Sequence, residues 1–460
     1  MTENMKVDVL VIGFGKAGKT IAMNRAAAGD RVALVEQSSA MYGGTCINIG
    51  CVPTKALLTD AESHHAKSTA DDSAAFAEAI QRRGMLTSKM NQVNLDLAEG
   101  KGVIVVDGHA SFISEKTVEV TGGDDRMEIT GETVIINTGA VPVVLPLPGA
   151  DLERVIDSTQ AQQLDERPES LLIVGGGPIG MEFATYFAKF GTKVTVVDTV
   201  DKPFANFDRD IAEHVGTIMD NLGITWITGA QVTEFRENGA DAVTTVWKDS
   251  DGNEQTADTA QVLVAVGRKP ATKDLGLDKA GIELTERGAV AVDKHLRTNV
   301  EGVYAAGDVN GGPQFTYVSF DDHRVILSDR WGDGSRTTEN RVVPTTTFID
   351  PPLATVGLGE DAAREEVEAR GNTLDVKASD IKDIPIMPRP KILGKSEGRA
   401  KILVERETDR IVGATLLCVD AQELINTLAL AMSAEIPAST VGSGIYTHPS
   451  SSEVFNALLG

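Results

Sequence analysis

A glycine-rich turn that joins a short apolar strand to an amphipathic helix occurs twice in the 460-residue chain. Each turn has the spacing G-x-G-x-x-G, formed by Gly13, Gly15 and Gly18 in the first copy and by Gly175, Gly177 and Gly180 in the second. Such glycines let the backbone approach a pyrophosphate, and the following helix N-terminus offers unpaired N–H groups to it. The pattern therefore predicts two dinucleotide-binding units.

The second strand of each unit ends in an acidic residue, Glu36 in the first and Asp198 in the second. An acid about 20 residues after the glycine turn accepts hydrogen bonds from a ribose in this fold. A glycine turn by itself is a weak signal, because it also allows a helix and a strand to pack closely. The whole pattern, found twice, favours nucleotide binding.

Composition and charge exclude several classes of function. The formal net charge of -24 opposes binding to nucleic acid or to anionic membrane surfaces. No apolar run approaches about 18 residues, and the run 7–12 leads straight into glycines, so neither a membrane span nor a signal peptide is predicted. Three cysteines cannot form a disulfide scaffold, and we expect a cytoplasmic protein.

The rest of the chain predicts further α/β structure and a separate C-terminal domain. Apolar stretches that end in glycine at 133–139, 261–267 and 302–307 are typical of strands whose ends face a cofactor. Residues 60–99 have a polar, helical pattern and predict surface helices, on which His64 and His65 are expected to be solvated. From about residue 342 the mixture of strands and helices predicts an α+β domain.

Two cysteines, Cys46 and Cys51, lie shortly after Glu36 and so belong to the first nucleotide unit. Their spacing is about one and a half helical turns, so a disulfide between them needs a local distortion, which Gly50 and Pro53 permit. A zinc half-site is the alternative, but no second Cys/His pair has ligand spacing. The pattern favours a redox dithiol, and no metal site is predicted.

Near the C-terminus, His448 is followed five residues later by Glu453. A histidine exchanges protons near neutral pH, and a neighbouring carboxylate can fix its tautomer. On the residues alone, His448 either exchanges protons with a thiol or is an ordinary surface histidine.

Taken together, these motifs resemble the pyridine nucleotide-disulfide oxidoreductases, the family of glutathione reductase, dihydrolipoamide dehydrogenase and mercuric reductase. The resemblance covers essentially the whole chain. The matching segments are 13–18, 44–46, 51–55, 138–139, 175–183, 266–268, 306–308 and 448–453.

The resemblance implies two Rossmann-like domains, one for FAD and one for NAD, with a C-terminal α+β dimerisation domain. The expected boundaries are 1–148 and 269–340 for the FAD-binding domain, 149–268 for the NAD(P)-binding domain and 341–460 for the interface domain. The implied FAD positions are Gly13, Gly15, Gly18, Glu36, Gly44, Thr45, Lys55, Thr138, Gly139 and Asp308, and the implied nicotinamide-cofactor positions are Gly175, Gly177, Gly180, Asp198 and Gly267.

The resemblance also implies the catalytic roles. Cys51 is the flavin-facing thiol and Cys46 the interchange thiol, while Lys55 and Glu182 form a pair beside the flavin. His448 and Glu453 serve the active site of the other subunit, which implies a homodimer. Asp198 would repel a 2'-phosphate, and only Lys202 is basic between it and Asp208, so NADH is expected rather than NADPH.

Within the family, the segments 13–20, 40–44 and 314–324 resemble the reactive chlorine resistance branch, also described as hypothiocyanous acid reductases and linked to copper(II) reduction. The expected substrate is therefore a small-molecule oxidant. Dihydrolipoamide dehydrogenase is one alternative, and a non-enzymatic FAD redox sensor is another. Mercuric reductase is not favoured, because the chain lacks the C-terminal cysteine pair of that enzyme.

Overall fold

The computed structural model describes residues 3–66, 71–122 and 125–460 and divides into two compact units. Unit 1 comprises Met1–Leu57, Glu78–Val143 and Gly267–Asn340, and unit 2 comprises Leu58–Ala77, Val144–Val266 and Arg341–Gly460. Each unit is thus built from three separate stretches of the chain. The domain boundaries expected from the resemblance stay predictions.

Helices of the described residues fall in both units. They are α1 Lys16–Ala27, α2 Thr45–Asn48, α3 Cys51–His65, α4 Asp72–Gly100, α5 Ser158–Ala161, α6 Pro178–Lys189, α7 Arg209–Asn221, α8 Thr316–Trp331, α9 Glu360–Ala369, α10 Arg389–Ile392, α11 Ala421–Ser433, α12 Ala438–Gly442 and α13 Val454–Leu459. Across the described segments, every helix is too short or too polar to pass through a lipid bilayer.

The strands of the described residues form five sheets. They are β1 Glu3–Ile12, β2 Val32–Glu36, β3 Ile104–Asp107, β4 His109–Ser114, β5 Thr117–Gly122, β6 Asp125–Ile136, β7 Ala140–Pro142, β8 Val155–Ile156, β9 Ser170–Val174, β10 Lys193–Val197, β11 Thr225–Ile227, β12 Gln231–Asn238, β13 Ala242–Lys248, β14 Glu254–Thr259, β15 Gln261–Val264, β16 Arg268–Pro270, β17 Val303–Ala305, β18 Thr345–Thr347, β19 Leu353–Gly357, β20 Leu374–Asp380, β21 Arg399–Glu405 and β22 Arg410–Leu417.

Unit 1 is organised around a seven-stranded mixed sheet. Its order is β3-β2-β1-β6-β5-β4, and β17 pairs with the end of β6. Strands β1, β2, β3, β6 and β17 run parallel, so their carboxyl ends meet at one edge. Helices α1 and α8 cover one face, where Ile21 and Ile326 are fully buried. This edge is where a doubly wound sheet binds its ligand.

Unit 2 contains a second parallel sheet and an antiparallel one. The parallel sheet has the order β11-β10-β9-β15-β8, and a small sheet β12-β13-β14 accompanies it. The antiparallel sheet, β18-β19-β22-β21-β20, packs on α11 and forms the core of the C-terminal segment. The architecture is the predicted one: two Rossmann-like sheets and a C-terminal α+β part.

A buried lysine cross-links three elements within unit 2. Lys401 on β21 is 2% exposed, and its ammonium donates to Asp208 Oδ2 at 3.0 Å, Asp210 Oδ1 at 2.6 Å and Glu360 Oε2 at 2.8 Å. Asp208 is the residue before α7, and Asp210 and Glu360 lie in the first turns of α7 and α9. One cation thus anchors two helix N-termini to the C-terminal sheet.

The stretch 60–99, predicted as surface helices, corresponds to α3 and α4, but the surface prediction was wrong for part of it. Phe76 is fully buried, and Arg83 is only 8% exposed. His64 was also expected to be solvated, yet its ring stacks on Phe190 and its Nε2 lies 2.7 Å from Asp72 Oδ1. Residues 67–70 of this stretch lie outside the described residues.

Candidate active site

The first glycine turn is packed against one buried asparagine. Gly18 N–H donates to Asn137 Oδ1 at 2.8 Å, and Asn137 Nδ2 donates to the carbonyl of Ala306 at 2.6 Å. A Cβ at Gly15 would lie 2.4 Å from Asn137 Oδ1, and Gly13 has a φ of +97°. Only glycine fits these positions, because the side chain of Asn137 fills the space that a Cβ needs at Gly15 and its backbone carbonyl fills that space at Gly13.

Glu36 closes the other side of this turn. Its carboxylate accepts from Phe14 N–H at 2.9 Å and from Ser38 N–H at 3.2 Å. Burial raises the pKa of Glu36, whereas these hydrogen bonds lower it. The first turn of α1 carries no acidic side chain. A glycine cradle, a positive helix end and an acid at the strand end fit the adenosine and pyrophosphate parts of FAD.

The remaining predicted FAD positions lie near the same sheet edge. Asp308 follows β17 in a 3₁₀ turn, and burial raises the pKa of its carboxyl. Thr138 Oγ1 donates to the carbonyl of Ala271 at 2.8 Å. Gly139 has a φ of +76°, and Thr45 Oγ1 is 3.9 Å from the point where its Cβ would be. The fold therefore brings these residues into one region, as the motifs predict.

The two cysteines are held by a broken helix. Cys46 belongs to α2, which ends at Asn48, and Cys51 begins α3. Gly50 lies in the break, where a Cβ would approach the carbonyl oxygen of Thr45 to 2.9 Å. Pro53 lies in the first turn of α3, where its missing N–H is tolerated. This break is the local distortion expected from the spacing of the pair.

Both cysteines of the pair are free thiols. Cys46 is partly buried and Cys51 is exposed. The neighbouring Cys51 and burial raise the pKa of Cys46, whereas the Thr316 hydroxyl and the charge of Lys19 lower it. Thr316 is the first residue of α8, and its Oγ1 lies 3.6 Å from Cys51 Sγ. The positive end of a helix thus adjoins the dithiol, where it favours a thiolate.

Helix α4 supports the cysteine loop through polar side chains that sequence reasoning missed. Arg83 donates to the carbonyl of Asn48 at 2.9 Å, and Asn91 Nδ2 donates to Asn48 Oδ1 at 3.2 Å. Asn48 Nδ2 in turn donates to the carbonyls of Tyr42 and Gly44, each at 2.9 Å. The signal in the sequence was a run of polar residues at helical spacing, 83, 87, 91 and 94.

The second glycine turn has a similar geometry in unit 2. Gly176 N–H donates to Asp198 Oδ2 at 2.6 Å, which places the acid directly beside the turn. A Cβ at Gly180 would lie 2.0 Å from the carbonyl oxygen of Gly175, so glycine is required there. A Cβ at Gly177 would meet no described atom within 4 Å, and the first turn of α6 carries no acid. These features fit a dinucleotide.

His448 and Glu453 form the predicted pair. His448 Nδ1 lies 2.8 Å from Glu453 Oε1, and Ser450 N–H donates to Glu453 Oε2 at 2.9 Å. The Ser450 amide and His448 lower the pKa of Glu453. Because a carboxylate only accepts, Nδ1 carries the proton, which leaves Nε2 for proton exchange. The His448 side chain is 69% exposed, and its role in a second subunit stays a prediction.

Three further predicted positions are Glu182, Lys55 and Gly267. Glu182 is 6% exposed and accepts from Phe348 N–H at 2.9 Å. Lys55 belongs to unit 1, so its predicted pairing with Glu182 stays a prediction. Gly267 has a φ of +109°, as expected of a strand-end turn.

Comparison with known proteins agrees with this geometry. The pyridine nucleotide-disulphide oxidoreductase family matches residues 7–322, and its dimerisation domain matches residues 343–459. The chain belongs to this family. The oxidoreductase is therefore a flavoprotein enzyme that is FAD-dependent and uses a pyridine nucleotide, as the motifs predicted.

Individual relatives cover nearly the whole oxidoreductase. It is 42% identical over 457 residues to the probable pyridine nucleotide-disulfide oxidoreductase RclA of Escherichia coli, covering 98% of both chains. It is 31% identical over 460 residues to dihydrolipoyl dehydrogenase of Geobacillus stearothermophilus, covering 98% of this chain and 95% of the relative. A solved structure, a Cu(II) complex of the HOCl-induced flavoprotein disulfide reductase RclA from Escherichia coli, matches with a TM-score of 0.91 at 41% identity, covering 99% of both chains.

Proposed function

We propose that this oxidoreductase passes electrons from NADH, through FAD, to the Cys46–Cys51 pair and on to hypothiocyanous acid. The observation that carries the proposal is the pair of free thiols, Cys46 and Cys51, next to the N-terminus of α8, where Thr316 Oγ1 lies 3.6 Å from Cys51 Sγ. The similarity to a reductase described as HOCl-induced supports an oxidant as the electron acceptor. We propose a cytoplasmic homodimer as the working form.

The chemistry at the pair uses both thiols in order. The Cys46 thiolate attacks the electrophilic sulfur of hypothiocyanous acid, so an S–S bond forms, the S–O bond breaks and hydroxide leaves as water after protonation. Cys51 then attacks the sulfur of Cys46, which closes the disulfide and releases thiocyanate and a proton. Overall, two thiols and one hypothiocyanous acid give one disulfide, thiocyanate, a proton and water.

The other residues of the site position groups or move protons. FAD, when bound, accepts hydride from NADH and supplies two electrons to the disulfide. Lys55 and Glu182 would hold a positive charge beside it. His448, aligned by Glu453, would protonate the departing hydroxide in the active site of the other subunit.

NADH is the proposed donor because of the position of Asp198. The carboxylate is held beside the second glycine turn by Gly176 N–H, where a ribose diol donates to it and a 2'-phosphate is repelled. The Escherichia coli structure is a Cu(II) complex, so copper(II) is a second acceptor to test.

The test is NADH consumption by the purified flavoprotein with hypothiocyanous acid. Parallel reactions contain copper(II), dihydrolipoamide with NAD, or glutathione disulfide with NADPH. Turnover confined largely to hypothiocyanous acid supports the proposal. Rapid dihydrolipoamide oxidation without turnover of hypothiocyanous acid would support the dihydrolipoamide dehydrogenase alternative. Reduction of the flavin by NADH without turnover of any of these acceptors would favour a redox sensor.

A pair of matched variants tests the role of the dithiol. Cys46→Ser should abolish oxidant turnover while FAD binding and flavin reduction by NADH persist. Cys418→Ser is the control, since Cys418 is fully buried in the C-terminal core and should not affect turnover. Full activity of Cys46→Ser would refute the dithiol mechanism.

A further inference from the structure

A buried lysine lies next to the first glycine turn. Lys19 directly follows Gly18 on α1 and is only 5% exposed. Its ammonium donates to Asn94 Oδ1, and Asn94 Nδ2 donates to the carbonyl of Met90 at 2.7 Å. The lysine side chain is therefore held against α4 by a side chain that is itself fixed.

The ammonium of Lys19 has no acidic partner in the part of the chain that the structure describes. Among the described residues, no carboxylate forms an ion pair with it, although its surroundings are nearly closed to water. Burial, together with the charge of Lys16, lowers the pKa of Lys19 to about 8, and the charge of Cys46 acts in the opposite direction. An isolated buried cation is unfavourable, so its retention calls for an anion that forms nearby.

The cysteine loop packs directly on the partner of Lys19. A Cβ at Gly43 would lie 3.0 Å from Asn94 Cγ and 3.0 Å from Ile47 Cγ1, so Asn94 touches the loop immediately around Cys46. The charges of Lys19 and Cys46 each act on the pKa of the other residue. The Cys46 thiolate, formed when the pair is reduced, is an anion whose charge acts on Lys19.

We propose that Lys19 is a positioning residue that supplies the counter-charge for the Cys46 thiolate, with Asn94 fixing the place of the ammonium. The inference rests on the proposed function, in which Cys46 is the attacking thiol. Cys51 and burial raise the pKa of Cys46, and the charge of Lys19 opposes them. Lys19 would thus supply a positive charge from the same chain as Cys46, whereas the exposed His448 would supply a proton to the active site of the other subunit.

The experiment measures alkylation of the dithiol in the reduced holoenzyme. The rate at which iodoacetamide modifies the Cys46 peptide is followed by mass spectrometry from about pH 5 to about pH 10, a range that spans perturbed thiol pKa values. In Lys19→Met the apparent pKa of Cys46 should rise by about one unit, with about tenfold slower alkylation at neutral pH. Lys19→Arg, which keeps the charge, should recover most of the rate.

A matched control removes a cation from α4. Lys89 is exposed on that helix, and Lys89→Met should follow the wild-type pH profile. The titratable groups that act on the two residues are Lys16 on α1 and Cys51 on α3, and neither is changed in these variants. An unchanged profile in Lys19→Met would overturn the inference.

Thermal unfolding separates this role from a structural one. Replacing a buried cation with a side chain of similar shape removes its desolvation penalty, so Lys19→Met should raise the Tm of the oxidised enzyme. The gain should be full below about pH 8 and shrink toward pH 10.5, because the folded-state pKa of Lys19 is below its ordinary value. A lower Tm with an unchanged thiol profile would indicate a merely structural lysine.

Three further outcomes are distinct. Loss of bound FAD in Lys19→Met, with normal alkylation of Cys46, would assign the lysine to the cofactor and overturn the inference. If Lys19→Met does not fold, Lys19→Gln, which is polar but also uncharged, decides the same question. A wild-type Cys46 that resists alkylation at every pH would refute the proposed dithiol function instead.

Discussion

The substitution Lys401→Met tests how the three-carboxylate cluster stabilises unit 2. Removing one partner of a buried ion pair costs about 3–5 kcal/mol, because the remaining charges stay buried. Two carboxylates keep other cations here, since Asp210 also accepts from Arg399 at 2.7 Å and Glu360 from Arg364 at 3.0 Å. We therefore expect the lower end of the range, a loss of about 3 kcal/mol at neutral pH.

The pH dependence of this loss has a definite sign. For Asp210 burial raises the pKa, but Lys401 and Arg399 outweigh it, and for Glu360 the hydrogen bond to Lys401 lowers the pKa. Carboxyl groups with lowered pKa values stabilise the folded state at pH values above their ordinary pKa values of 3.8 and 4.5. That contribution disappears as the pH falls and they are protonated. Against the effect of burial, hydrogen bonds to the carboxylates raise the pKa of Lys401 above 10.5, so its contribution to stability is complete at pH values below 10.5.

The assay is urea unfolding followed by the fluorescence of Trp226 and Trp247, which both belong to unit 2. The difference between wild type and Lys401→Met should be constant from about pH 5 to about pH 10 and shrink below about pH 4. Lys382→Met is the control, because Lys382 is 67% exposed and 3.9 Å from Asp380, so it should cost under about 1 kcal/mol. Equal losses in the two variants, or a difference that persists in acid, would refute the reasoning.

Three further outcomes are expected. Asn137→Ala leaves the Gly18 amide and the Ala306 carbonyl unpaired, at about 1–3 kcal/mol each, so FAD should be lost on gel filtration, as followed by flavin absorbance. His448→Ala should slow oxidant turnover roughly a hundredfold while stopped-flow reduction of the flavin by NADH is unchanged, and unaltered turnover across pH would contradict the assignment. Asp198→Ser should raise kcat/KM for NADPH relative to NADH roughly tenfold, measured with both cofactors, and an unchanged ratio would remove the basis for NADH preference.

Much of the fold could be predicted because local patterns determine it. The predicted helix after the second glycine turn and the strand from Lys193 to Val197 correspond to α6 and β10, since glycines, apolar runs and an acid stand at fixed distances along the chain. The break between Cys46 and Cys51 was also foreseeable from Gly50 and Pro53.

The polar interior of the site was not predictable in this way. Asn137 becomes important only when the register of β1 on β6 places it against the glycine turn. Arg83 and Asn94 resemble surface residues in the sequence, because their partners, Asn48 and Lys19, lie far away in the chain. His64 likewise looks solvated until Asp72 and Phe190 are brought beside it.

The discontinuous make-up of unit 1 has a consequence for its synthesis. The end of β6 at residues 134–136 is paired by β17, which is translated about 170 residues later, and Ser319 and Asp322 then bond to the backbones of Ala17 and Gly307. Before that point the ribosome has already synthesised the segment 144–266, whose parallel sheet needs no later strand. The sheet of unit 1 therefore keeps an open edge on the nascent chain until residues 303–305 have been synthesised, and such an edge is the kind of surface that chaperones protect.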